Sequence, residues 1–429
     1  MLTADDLHPS LGDPGLTVMT FLNEATVRFP DALSFASGRP HERFFDVGLL
    51  HTYLNRYLDY LRRERGWGEG AITRELLQYG PTSGIIRELI AAMLWTDEQI
   101  SVPAQSVVVT TGCQEALVIT LRALISGPDD VLLVSSPGYA GITGAALLLG
   151  VAVEELPEGP HGLDPAQVSA TVERLKAAGR RPRALYLVPE GANPSGTSLS
   201  HDARRGLIQS ARDHDFLLIE DHAYAVFALP GSPPSLKALD DGERVIHIGT
   251  FAKSGFPGLR IGYVVADQKL AGEPGTPRFL ADALADVKSM VTVNTSPITQ
   301  AIAGGMLLHC GLSLRNANAE AAEFYRSNLR IARLALASRF STPDSSVTWN
   351  QPESGFFMVV SVPFDADDAA LERSAREFKV LWTPMRYFQR SGGERSLRLS
   401  VSYLSPDEIR TGIDRLAEFI EDQSGQHAA

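Results

Sequence analysis

The segment VIHIGTFAKSGFPGLRIG, residues 245–262, opens as a short apolar strand and turns at Thr250. It then passes a lysine, a Gly/Pro-rich loop and an arginine before a second strand begins at Ile261. A run that is apolar on both faces suits a strand in a sheet covered on both sides. Lys253 then falls at the mouth of the sheet, where ligands of open α/β sheets bind. A lysine amine there can form an imine with an aldehyde when burial and nearby cations depress its pKa. Arg260, seven residues on, offers a planar fork to a phosphate. A solvated lysine in a surface loop is the other reading, and this segment alone leaves it open.

Outward from this segment the same alternation recurs. The apolar runs VVVTTG (107–112), VLLVSS (131–136), VAVEEL (151–156), ALYLVP (184–189), FLLIED (216–221) and IGYVVA (261–266) are interleaved with helical patterns at 114–126, 140–149 and 200–214. Continuous apolar strands alternating with amphipathic helices predict an α/β fold with a mostly parallel sheet sandwiched by helices. Residues 16–29 and 49–65 have helical periodicity, and between them SFASGRPHERFFD is turn-rich, with Pro40 holding Arg39 extended. Helices return after residue 278, including 317–338, and a final α+β segment holds GFFMVVSVP, SLRLSVSYL and a helix over 406–422. The expected division is a large domain over 49–310 and a smaller α+β domain from 1–48 and 311–429.

The chain has 429 residues, 44% hydrophobic and 21% charged, which suits a soluble globular protein. A net charge of −12 without a long basic run argues against nucleic-acid binding. Cys113 and Cys310 are the two cysteines, expected free in a reducing compartment. The acidic, Pro/Gly-broken start lacks the pattern of a secretory signal, and no apolar run reaches membrane-spanning length, so the expectation is a cytoplasmic protein with no membrane partner. The ten histidines show no ligand-like spacing, so no metal site is expected.

Each strand end carries a polar candidate. After VVVTT, Gly112-Cys113-Gln114 opens a helix whose free N–H groups suit an anion, or is an ordinary strand-to-helix turn. After VLLVSS, Tyr139 could stack on a planar ring or be buried structure. Asn193, held extended by Pro194, could donate to a phenolate-like oxygen or mark a turn. Asp221 ends an apolar strand, where a buried carboxylate needs a cation such as a protonated pyridine nitrogen, or caps the next helix.

The ordered set Tyr79-Gly80-Pro81-x-x-Gly84, Gly112-Cys113-Gln114, Tyr139, Asn193-Pro194-Ser195-Gly196, Asp221-x-x-Tyr224, Thr250-x-x-Lys253 and Pro257-Gly258-x-Arg260-x-Gly262 resembles the class I/II aminotransferases of fold type I, over essentially the whole chain. The resemblance implies pyridoxal 5′-phosphate as cofactor, with Lys253 as its imine lysine, Asp221 facing the ring nitrogen, Asn193 and Tyr224 on the 3′ oxygen, and Tyr139 stacking. It makes Gly112, Cys113, Gln114, Thr250 and Arg260 the phosphate cup, joined by Tyr79 from a second subunit of a homodimer. Arg398 becomes the fork for the substrate carboxylate, with Gly38 in the loop over it, while Arg39 beside it either lines the substrate pocket or is a packing and surface residue. The implied reaction exchanges an amino group between an L-amino acid and a 2-oxo acid. The string FLNEATVRFPDALSFASGRPHERFFD (21–46), with LLQYGPTSG and TTGCQEAL, is similar to biosynthetic transaminases that make hydroxyphenylglycines from arylglyoxylates in secondary metabolism. Two departures, Glu190-Gly191-Ala192 and His222, are expected to reshape the substrate pocket. Elimination, oxidation or carbon–carbon bond formation by the same cofactor, on a substrate such as one like S-adenosylmethionine, is the rival reaction, because loss of the Cα proton is common to all of these. A ligand-sensing regulator on this fold is the rival of another class, and would be expected to carry a DNA-binding domain.

Overall fold

The computed structural model describes residues 2–3, 6–271, 278–342 and 345–428. Seven strands form the central sheet: β1 (Val107–Thr110), β2 (Asp130–Ser136), β3 (Ala152–Pro157), β4 (Arg181–Leu187), β5 (Leu217–Asp221), β6 (Val245–Thr250) and β7 (Gly262–Val265). Their spatial order is β1-β7-β6-β5-β4-β2-β3. Six strands run in one direction and β7 runs antiparallel to both its neighbours. The sheet is therefore mostly parallel, as the apolar runs require. Strands buried on both faces need helices on both faces, and three buried clusters supply them.

The lone reversal has a local consequence. Gly262, the first residue of β7, pairs with Thr110 on one side and Thr250 on the other. A Cβ on Gly262 would stand 2.7 Å from the Gly112 carbonyl carbon and 2.8 Å from the Cys113 nitrogen. Only a glycine admits the turn after β1 so close to the turn before β7, and this packing joins the segments carrying Arg260 and Cys113.

A second, antiparallel sheet has the order β8-β9-β11-β10, from Thr348–Trp349 (β8), Phe357–Ser361 (β9), Thr383–Pro384 (β10) and Ser396–Ser400 (β11). The long helices Ala319–Phe340 and Pro406–Ala428 contribute to its buried core. Leu33–Ser34 pairs in parallel with Val380–Leu381, which ties the amino-terminal stretch to this layer. Arg398 lies at the centre of β11, flanked by Val359 and Thr383. The helix expected over 49–65 runs as Gly48–Asp59 and ends in a wider π turn, Tyr60–Glu64. Among the described residues, no helix is long and apolar enough to cross a membrane.

Candidate active site

A cavity of about 820 Å³ opens where the segments following β1, β2, β4, β5 and β6 meet Ser37–Pro40 and Arg398. Parallel strands place their carboxyl ends on one edge, so residues far apart in sequence converge there.

Lys253 is half-buried in this cavity, and its Nζ donates to the Gly38 carbonyl at 2.8 Å. The amine stands 5.8 Å from the ring centroid of Tyr224 and 5.9 Å from that of Phe356. Burial pushes Lys253 down to about 8; Cys113 and Asp221 oppose the shift, and Arg398 and Arg260 add to it. Such an amine has a useful neutral fraction near physiological pH, as a nucleophile or proton carrier requires.

Asp221 is 4% exposed. Its Oδ2 accepts from the Tyr186 hydroxyl at 2.7 Å and its Oδ1 from the Ala223 N–H at 3.2 Å. Burial raises its pKa, while these hydrogen bonds, His247 and Lys253 pull it back. The bond to Ala223 is the cap-like role considered as its alternative, and Asp221 also lines the cavity. No Lys or Arg pairs with it among the described residues. A carboxylate so placed fits a cationic ring nitrogen.

Arg398 is 1% exposed. One Nη donates to Asn193 Oδ1 at 2.8 Å, and the other to the Ala36 carbonyl at 2.5 Å and to Thr383 Oγ1 at 3.2 Å. Its Cζ lies 4.6 Å from the Phe357 ring centroid and 4.7 Å from that of Phe388. The Nε is buried without a protein partner, and among the described residues no carboxylate pairs with the guanidinium. Burial pushes its pKa down to about 10. A buried cation with an unspent N–H, in the same cavity as a reactive amine, is suited to a ligand carboxylate. Because Asn193 accepts from Arg398 through its carbonyl oxygen, its amide N–H groups remain the donors; Tyr224 shares a side-chain hydrogen bond with Asn193. The two residues assigned to one oxygen are thus neighbours.

The anion end is built from backbone. Gly112 has φ +79°, and a Cβ there would stand 2.5 Å from an Arg260 Nη, so glycine lets the guanidinium lie against the start of the helix Cys113–Leu124. Cys113 Sγ donates to the Gly249 carbonyl at 3.6 Å, and burial raises its thiol pKa, so it serves as packing. The Gln114 side chain reaches the Gly141 carbonyl at 2.8 Å, leaving its backbone N–H in the first helical turn. Thr250 Oγ1 accepts from the Ala252 N–H at 3.1 Å. The Tyr139 ring packs over Gly141, where a Cβ would stand 2.2 Å from it, and burial raises its phenol pKa. A flat wall, a buried acid, an amine and a helix-end cup match the parts of pyridoxal phosphate.

Of the other expected residues, one lines the cavity and one does not. Arg39 lines the cavity and its carbonyl accepts from Ser402 Oγ at 2.7 Å. Tyr79 is 82% exposed and does not line this chain's own cavity. The two departures do not line the cavity. Glu190 is buried against Arg204 at 2.5 Å, Gly191 packs on Gly355, and Ala192 belongs to the core. His222 points to Glu98 at 3.9 Å, and its ring is tilted 53° to that of His247, with centroids 4.8 Å apart. Sequence reasoning missed Tyr186 and Thr383, which hold Asp221 and Arg398. A tyrosine alone among aliphatic residues in ALYL was the available signal for the first. Both cysteines are free, and no cluster of metal-ligating side chains occurs among the described residues.

The family model for aminotransferase class I and II matches residues 64–416. An (S)-3,5-dihydroxyphenylglycine transaminase from Amycolatopsis orientalis is 46% identical over 422 residues, covering 98% of this chain and 94% of that protein. The crystal structure of an archaeal alanine:glyoxylate aminotransferase has a TM-score of 0.83 at 26% identity, covering 98% of this chain and 100% of that one. Kynurenine aminotransferase from Pyrococcus horikoshii, in complex with PMP, has a TM-score of 0.80 at 27% identity, covering 99% and 97%. Matched over most of its length by family, relative and structure alike, the chain belongs to the class I and II aminotransferases and is a pyridoxal 5′-phosphate-dependent transferase.

Proposed function

We propose that this aminotransferase exchanges an amino group between an L-amino acid and an arylglyoxylate, a 2-oxo acid with its keto carbon on an aromatic ring, in secondary metabolism. The observation that carries the reading is that Lys253 and the partly unpartnered Arg398 share one cavity. The 46% likeness to a dihydroxyphenylglycine transaminase narrows the oxo acid to the aryl class.

The cofactor supplies an aldehyde that receives the amino group and a ring that draws electrons from the substrate Cα. Asp221 holds a proton at its ring nitrogen, Asn193 and Tyr224 hold its 3′ oxygen, and Tyr139 covers one face of the ring. The backbone N–H groups of Gly112, Cys113 and Gln114, with Thr250 and Arg260, hold the phosphate. Arg398 grips the substrate α-carboxylate and so fixes the Cα–H bond. Lys253 Nζ would take the Cα proton and, once charged, give it back within the same site; a base pushed down to about 8 can do both. Gly38 and Arg39 form the loop over the carboxylate.

The large domain is taken as 49–310, and the chain as a cytoplasmic homodimer whose second subunit lends Tyr79 to the phosphate. Leu77, Tyr79, Met290 and Val293 expose apolar surface, and a Cβ on Gly80 would touch Asn294 and Pro297, which supports one shared face. The test runs the two half-reactions separately. An amino donor should bleach the visible absorbance of the loaded enzyme, and phenylglyoxylate should restore it with release of phenylglycine. Restoration by 2-oxoglutarate but not by phenylglyoxylate would overturn the aryl assignment.

A further inference from the structure

We propose that Gly144 is the specificity-determining residue for the substrate side chain. Its missing side chain opens an aryl slot between the helix Ala140–Leu148 and Leu16. The inference rests on the proposed function and names the part of the cavity that receives the ring.

Arg398 fixes where the carboxylate end sits, because it is the buried cation of the cavity lining whose Nε has no protein partner among the described residues. Behind that point an apolar cluster backs the cavity. The guanidinium lies over the Phe388 ring, and Phe388 packs in one apolar cluster with Met385, Val18 and Ala140, the first residue of the helix Ala140–Leu148. Along that helix Gly141, Gly144 and Leu148 line the cavity, a spacing of three and four residues that places them on one face. Leu16, which closes the turn Pro14–Leu16, lines the same cavity. At this end the cavity is lined by Ala140, Gly144, Leu148 and Leu16, an apolar lining that suits an aromatic ring.

The two glycines have different reasons to be there. At Gly141 a Cβ would stand 2.2 Å from the Tyr139 ring and 2.6 Å from Gln114 Oε1, so packing within the chain excludes a side chain. At Gly144 a Cβ would meet nothing within 4 Å. Glycine inside a helix is unfavourable relative to alanine, and here no contact among the described residues requires it. The open volume beside it belongs to the cavity, so what requires it is the group that enters the cavity.

The test compares Gly144→Ala and Gly144→Leu with the parent chain, each loaded with pyridoxal 5′-phosphate, on phenylglyoxylate, phenylpyruvate and pyruvate. The readout is the ratio of kcat/KM for each ring-bearing acid to that for pyruvate. The leucine variant should lower the ratio roughly 10- to 100-fold, the range by which a changed hydrocarbon wall discriminates between substrates. Alanine should lower it less while raising the melting temperature, because it removes a helix glycine. Ratios unchanged within about twofold in both variants, or an equal loss on all three acids, would overturn the slot. If the parent chain uses phenylpyruvate but not phenylglyoxylate, the arylglyoxylate assignment falls while the slot is still judged on phenylpyruvate. If it uses neither, both fall.

Discussion

Replacing Arg398 by methionine should separate binding from stability. Burial pushes the guanidinium from 12.5 down to about 10, which corresponds to about 3 kcal/mol of cost for keeping the charge inside the fold. For a base whose folded pKa lies below its unfolded value, that cost is present in full below about pH 10. It fades as pH rises above about 10 and the folded chain loses its proton, and is gone above the unfolded value. Near neutral pH, methionine therefore removes the whole of it. Against this gain stand the hydrogen bonds to Asn193, Ala36 and Thr383, each worth about 1 kcal/mol net, and the contacts with Phe357 and Phe388. Methionine refills much of the volume. The two sides nearly cancel, and unfolding by denaturant should change by no more than about 2 kcal/mol.

Substrate binding has no such compensation. The carboxylate loses a charge-assisted contact worth about 3–5 kcal/mol, so affinity for L-phenylalanine should fall by a factor of about 10²–10⁴. Spectral titration of the bound cofactor reads this directly, with phenethylamine, which has no carboxylate, as the comparison. Its affinity should be nearly the same in both proteins. Equal losses for amino acid and amine, or destabilisation beyond about 4 kcal/mol, would refute the assignment of a carboxylate to this guanidinium.

Lys253→Ala should abolish both the visible absorbance of the bound cofactor and turnover, and retained activity would remove the basis of the mechanism. In the parent chain, capture of pyridoxal 5′-phosphate by the apo-enzyme should quicken through about pH 8 and then level off, since Lys253 becomes nucleophilic as it loses its proton; rapid-mixing absorbance gives the profile. Tyr186→Phe removes the donor 2.7 Å from Asp221 that opposes its upward shift, so the acid limb of kcat/KM should move to higher pH in pH-rate measurements. Glu190→Gln leaves the buried Arg204 charge unpaired and should cost about 3–5 kcal/mol in a denaturant melt, with no change in substrate preference.

Residues that carry chemistry at strand ends were legible because two constraints coincide there. The apolar runs gave the strands, and a polar residue ending such a run has to be explained by something other than burial. Asp221, Lys253 and Asn193 were read this way and line one cavity. The residues that orient them were not, because their signal is a pairing across strands. Tyr186 lies one strand from Asp221, and Thr383 meets Arg398 only through the register of β10 on β11. Glu190 and His222 were misplaced for the same reason. A charge beside a motif reads as pocket chemistry until its partner, here Arg204 for Glu190, is brought up by a helix whose contacts the motif does not encode.

The buried charges of the cavity explain one another through what they lack. Burial raises Asp221 and lowers Lys253 and Arg398, so in each case the fold works against the charged form. An interior built only for stability would pair such groups, as Arg204 and Glu190 are paired. Here the acid and the guanidinium end the hydrogen-bonding paths of two different sheets, Asp221 on β5 and Arg398 on β11, and among the described residues no ion pair joins either to a partner. Each is thereby matched to an ionic group from outside the chain: a ring nitrogen at Asp221 and a carboxylate at Arg398. Binding in either place relieves a cost the fold already bears. Cofactor and a substrate-like aryl carboxylate should therefore each raise the melting temperature, and the second increment should vanish in Arg398→Met while the first persists. Persistence of both would show that the guanidinium serves the fold alone.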